Sequence, residues 1–220
     1  MAKVRDLVSG LTHCIGAGLS LVAMVLLIVF SSIWGNAYHI VSFTIFGVAL
    51  FLLYLFSTLY HWLNVSEKAI TVFRKFDHIM IYIFIAASYT PVCLIPLRGP
   101  WGWSIFGVIW GLAIAGTLLS ALWIKAPRAI TTSIYIAMGW AIVIAIFPLI
   151  GVFKELNMLT SLWWLLAGGI FYTMGGLIYG FKWPKINFKH FGFHEIFHVF
   201  VMLGSACHFW FIFYHLLQIQ

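Results

Sequence analysis

Charge is scarce in this sequence. Charged side chains make up 8% of the 220 residues, and only five are acidic. With 64% of the chain apolar, a soluble domain is excluded, because no interior of this size hides that much apolar surface. Cysteine is scarce too. Cys14, Cys93 and Cys207 fall at unrelated spacings inside apolar blocks, which argues against a disulfide framework or a cysteine-based zinc site. The short alternating segments of a membrane β-barrel are missing, as are internal repeats and low-complexity tracts. The first block is too long for a cleavable signal and lacks a small-residue cleavage site. No stripe of small residues dominates one span, although Gly168, Gly169, Gly175, Gly176 and Gly180 imply close packing of the sixth. The net charge of +7 does not mark a nucleic-acid surface, because the basic residues sit in short links between apolar blocks.

What the sequence has in abundance is apolar length. Seven blocks are long enough to cross about 30 Å of hydrocarbon as helices. They cover approximately 9–33, 38–61, 72–96, 101–123, 129–152, 161–181 and 192–216. The expected fold is an all-α integral membrane protein, a single domain over 1–220 built as a seven-transmembrane helix bundle. Breakers mark the links: Gly35-Asn36, Asn64, Arg98-Gly99-Pro100, Pro127, Asn157, Pro184 and Asn187. Pro91 and Pro148 lie within spans or near their ends, where membrane helices tolerate kinks.

Orientation follows from the links. Lys3, Arg5, Lys68, Arg74, Lys75, Lys125, Arg128, Lys182, Lys185 and Lys189 fall on one side, and only Arg98 and Lys154 on the other. The positive-inside bias then puts the N-terminus in the cytoplasm and the C-terminus outside. Trp34, Trp101, Trp103, Trp163 and Trp164 end spans on the outer side, and Trp62, Trp123 and Trp183 on the inner. Such aromatic belts are expected at both interfaces.

On this map, His61 ends the second span, Asp77 lies in the first turns of the third, and His194 and His198 open the seventh, all at the cytoplasmic face. Ionisable groups are costly in the bilayer and mark function by default. His194 and His198 stand four apart, on one helical face. Three histidines with a fourth position left for water form the pattern of a catalytic zinc site. Asp77 is the natural carboxylate to orient that water and take its proton. Ser57, one turn before His61, is placed to bond the water or a substrate carbonyl. Each residue alone has a plainer reading: His61 as a histidine at a helix C-terminus, Asp77 as a partner of Arg74, Ser57 as a packing residue. His208 lies too far along its helix to share the ion, and with Ser205 is expected to make interhelical hydrogen bonds near the outer half. His13 reads as an outer neighbour of the site or a structural residue, and His39, His78, His190 and His215 as interfacial.

The ordered set Leu11-Thr12-His13-Cys14-Ile15-Gly16, Ser57-Thr58-Leu59-Tyr60-His61, Phe76-Asp77-His78, Tyr89-Thr90-Pro91, His194-Glu195-Ile196-Phe197-His198 and Gly204-Ser205-Ala206-Cys207-His208 resembles the hemolysin III family. That family is the bacterial branch of the progestin and adiponectin receptor superfamily. The resemblance implies seven spans with a cytoplasmic N-terminus in the bacterial plasma membrane. It implies zinc on His61, His194 and His198, Asp77 holding the metal water, and Ser57 beside it. Eukaryotic relatives look like ceramidase-type lipid amide hydrolases, and bacterial members are linked to haemolysis and membrane-lipid homeostasis. Family members often carry an acidic pair and an asparagine before the first histidine motif; Arg5-Asp6 and Ser9 stand there in this chain.

The expected function is zinc-dependent hydrolysis of an amide or ester bond in a membrane lipid, with membrane lipids as partners and no nucleic acid. One alternative is a sensor, receptor-like protein or haemolytic pore with structural zinc. Another is an intramembrane metalloprotease, since His194-Glu195-Ile196-Phe197-His198 matches H-E-x-x-H with Glu195 as base.

Overall fold

The computed structural model describes residues 5–123, 126–186, 188 and 191–219. Lys3, Lys125, Asn187, Lys189 and His190, which entered the charge, turn and histidine readings, lie outside the described residues.

Eight α-helices are found among the described residues: α1 (Leu7–Trp34), α2 (Ala37–Trp62), α3 (Glu67–Leu94), α4 (Pro100–Leu122), α5 (Arg128–Trp140), α6 (Ile146–Glu155), α7 (Leu162–Phe181) and α8 (Phe193–Trp210). With α5 and α6 counted as one interrupted rod, seven are long and apolar enough to cross a membrane. The protein is an all-α, multi-pass membrane protein with seven spans.

Helix starts follow local chemistry. Asn36 Oδ1 accepts from Tyr38 N at 2.9 Å, and Asn36 N donates to His39 Nδ1 at 3.3 Å, so α2 opens with a reciprocal cap. His39, read as interfacial, is buried in the protein, and its Nε2 donates to Leu216 O at 3.1 Å. Ser66 Oγ accepts from Ala69 N at 3.3 Å, which lets α3 begin ahead of its apolar block.

The fifth span is not one continuous helix. A 3-10 segment, Ala141–Ala145, separates α5 from α6. Pro148, in the first turn of α6, has no N–H to return to the preceding turn, and in a continuous helix its ring would crowd the Ile144 carbonyl. Tyr89 of α3 supports the break. Its hydroxyl accepts from Ile142 N at 2.9 Å, and its one hydrogen is shared between the Met138 and Gly139 carbonyls at 2.8 and 2.7 Å. Freed backbone groups are tolerated within a membrane when a neighbouring side chain satisfies them. Tyr89→Phe is therefore expected to lower unfolding stability by about 1–3 kcal/mol, read as a lower melting temperature in detergent.

α2 and α3 are the most enclosed helices, with Phe43, Phe46, Tyr82 and Phe84 buried between their neighbours. α1 packs on α2 and on α8, and α7 packs on α5 and α8, so first and last spans meet. The inner face of α1 is a stripe of small and polar residues after all: Ser9, Gly10, His13, Gly16 and Ser20 are buried, while Leu11, Ile15, Leu19 and Val22 face outward. A Cβ at Gly16 would stand 2.8 Å from the Tyr54 ring, so glycine sets how closely α1 approaches α2. The glycines of α7 serve two neighbours. Gly168 and Gly175 face α8 at His208 and Phe200, and Gly176 and Gly180 face α5 at Ile136 and Thr132.

Candidate metal centre

His61 is in the last turn of α2, and His194 and His198 are in the first turns of α8. Packing of α1 on both helices brings these ends together. One ligand atom from each of the three histidines lies within 4.8 Å of the other two. The Nε2 atoms of His61 and His194 face each other at 3.2 Å. Two imidazole nitrogens on one tetrahedral zinc, each at about 2.0–2.1 Å, stand roughly 3.3 Å apart. His61 and His198 are 4% and 1% exposed, so little water competes for them. Three neutral imidazoles with room for one more ligand suit zinc; the donor set fits.

The other two candidate residues line the same cavity. Asp77 and Ser57 border a space of about 330 Å³ shared with the three histidines. Asp77 is outside the close ligand group. Arg74, Arg128, His78 and Tyr179 also line the cavity, with the Arg128 guanidinium 4.9 Å from the centre of the Tyr179 ring. The remaining wall is largely apolar, built from Leu53, Ile81, Phe84, Ile85 and Val201 among others. Next to it is a second apolar space of about 400 Å³ between α3, α5, α6 and α7. The two share Ser88, Tyr89, Gly139, Trp140, Gly169 and His208 in their walls.

Residues of the first helix surround the histidines. His13 stacks face to face on His198, with ring centres 3.5 Å apart and planes within 14°. Thr12 Oγ1 is 3.0 Å from His198 Nδ1. Asp6 Oδ2 is 3.3 Å from His61 Nδ1, and Asp6 N donates to His61 O at 3.0 Å. Sequence reasoning placed His13 near the site but missed Asp6 and Thr12. Their signal was the spacing 6, 9, 12, 13 on the inward side of α1, in a segment where small polar residues are otherwise unremarkable at a helix start.

Ser205 and His208 both hydrogen-bond to neighbouring helices, as expected, whereas the motif reading of Glu195 needs correcting. Ser205 Oγ bonds Tyr54 at 2.7 Å and Tyr172 at 2.9 Å, while His208 Nε2 donates to Leu165 O at 3.4 Å. Glu195 is not aimed at the metal centre. Its Oε2 accepts from Gly192 N at 2.7 Å and its Oε1 from Ser9 Oγ, capping α8 and tying it to α1. Glu195→Gln is expected to keep both the metal content and any turnover of the wild type, measured side by side. Loss of turnover with the metal retained would restore the protease reading.

A family profile described as "Haemolysin-III related" matches residues 1–209. The chain belongs to the haemolysin-III family. "Hemolysin-3" of Bacillus cereus is 41% identical over 213 residues, covering 97% of this chain and 92% of its own length. The "Hemolysin-3 homolog" of Bacillus subtilis (strain 168) is 38% identical over 215 residues, covering 98% and 96%. More distantly, the human "Monocyte to macrophage differentiation factor" is 27% identical over 180 residues, 78% of this chain and 69% of its own length. Membership of the family, as the bacterial branch of the progestin and adiponectin receptor superfamily, agrees with the resemblance drawn from the motifs.

Proposed function

We propose that this haemolysin-III protein is a zinc-binding membrane hydrolase that cleaves an amide or ester bond of a membrane lipid. The observation that carries this reading is the convergence of His61, His194 and His198 beside Asp77 and Ser57 on one largely apolar cavity. Zinc bound there supplies a Lewis acid and a water acidified enough to act near neutral pH. The chain's own residues do the rest. Asp77 accepts the proton of the attacking water and passes it to the departing amine or alcohol, leaving the free fatty acid. The Ser57 hydroxyl donates to the carbonyl oxygen as charge builds on it. Apolar walls take up an acyl chain, and the adjoining space between α3 and α7 extends the room for it. The basic links at the same end as the histidines support a cytoplasmic placement of that end, and on this reading the substrate comes from the inner leaflet.

The test is metal analysis of detergent-purified protein, followed by incubation with phospholipid vesicles containing ceramide and by mass spectrometry of released fatty acids. Stoichiometric zinc with chelator-sensitive release supports the reading. Bound zinc without turnover of any lipid leaves a sensor whose ion holds α2 to α8. Protein without metal ends both.

A further inference from the structure

Each imidazole must offer an unprotonated nitrogen to bind a cation, so a neutral histidine must carry its proton on the other one. Two contacts from α1 determine which. The Thr12 hydroxyl has a single hydrogen, and that hydrogen is used: Oγ1 donates to Ser9 O at 2.8 Å. Toward His198 Nδ1, 3.0 Å away, Thr12 is left only to accept. His198 Nδ1 must therefore carry the proton, which leaves Nε2 as the free lone pair. The Asp6 carboxylate only accepts, and it lies 3.3 Å from His61 Nδ1, which imposes the same choice there. The free Nε2 of His61 is the atom that faces His194 Nε2 at 3.2 Å. Asp6 is itself held in place, since Arg5 Nε is 3.4 Å from the same oxygen and the Arg5 guanidinium lies 4.3 Å from the centre of the Tyr60 ring.

We propose that Asp6 and Thr12 are positioning residues of the metal centre. They hold His61 and His198 in the Nδ1-protonated form, with both Nε2 atoms turned to one point. The N-terminal segment, where this chain carries Asp6 and Ser9, thereby belongs to the site without touching the ion. The role in ion binding rests on the metal reading above; the proton placement does not.

The experiment has two readouts on the full chain in detergent. The first is nitrogen NMR of the histidine rings in chelator-treated, metal-free protein near pH 8. Wild type is expected to show His61 and His198 protonated at Nδ1, and Thr12→Val to show His198 mixed between its two forms. The second is zinc affinity by competition with a chelating dye. Thr12→Val and Asp6→Asn are expected to bind zinc roughly 10–100-fold more weakly, and Thr12→Ser to return within about threefold of wild type, which a packing role for the methyl group would not produce. Should Asp6→Asn fail to fold, Thr12→Val and Thr12→Ser carry the comparison alone. Nε2 protonation of His198 in the metal-free wild type overturns the proposal whatever the metal does. So does a Thr12→Val protein that matches wild-type zinc affinity. A wild type that binds no zinc but shows the stated protonation removes the hydrolase reading and leaves the proton placement standing.

Discussion

Zinc is expected to be lost from the His194→Ala protein. His194 contributes the nitrogen that faces His61 at 3.2 Å, and without it two ligands remain on two different helices. Removing a partner of a ligand costs roughly 10–100-fold in affinity; removing the ligand itself exceeds that, so a detergent-purified sample should carry none. The fold gives a control on the same helix. His208 lies further along α8 and is bonded to Leu165 O, away from the three histidines. His208→Ala should keep its zinc. Metal content per protein, measured for wild type and both variants in one preparation, checks the pair. Zinc retained by His194→Ala would remove the metal centre from this site.

Asp77→Asn is expected to have the opposite pattern: zinc retained, lipid hydrolysis reduced by roughly 10²–10⁴-fold, the usual contribution of a general base. The carboxylate borders the cavity but lies outside the ligand group, so an amide of the same size leaves the ion's coordination unchanged. The loss should fall on kcat rather than KM, because the proton is taken only as the reaction proceeds. An unaltered kcat in Asp77→Asn would show that another group takes the proton.

The spans were legible because apolar length and Trp placement report the bilayer directly. The gathering of the three histidines was legible because ionisable groups stand out in such a chain. The contribution of α1 was not. Asp6, Ser9 and Thr12 are ordinary residues for a helix start, and their meaning depends on α1 packing against α2 and α8 at once. Glu195 shows the opposite limit: a literal motif gives residue types, while the capping contact to Gly192 N gives direction. In the fifth span Pro148 was visible, but the use of Tyr89 to support the break required knowing which side chain of α3 lay opposite.

The meeting of α1 with α8 bears on biogenesis. Two of the three imidazoles reside in α8, while Thr12 and Asp6, which contact His198 and His61, reside at the start of α1. On the proposed metal reading, no pocket able to capture an ion exists until α8 has left the ribosome and packed on α1. Intermediates halted before α8 should insert yet stay metal-free.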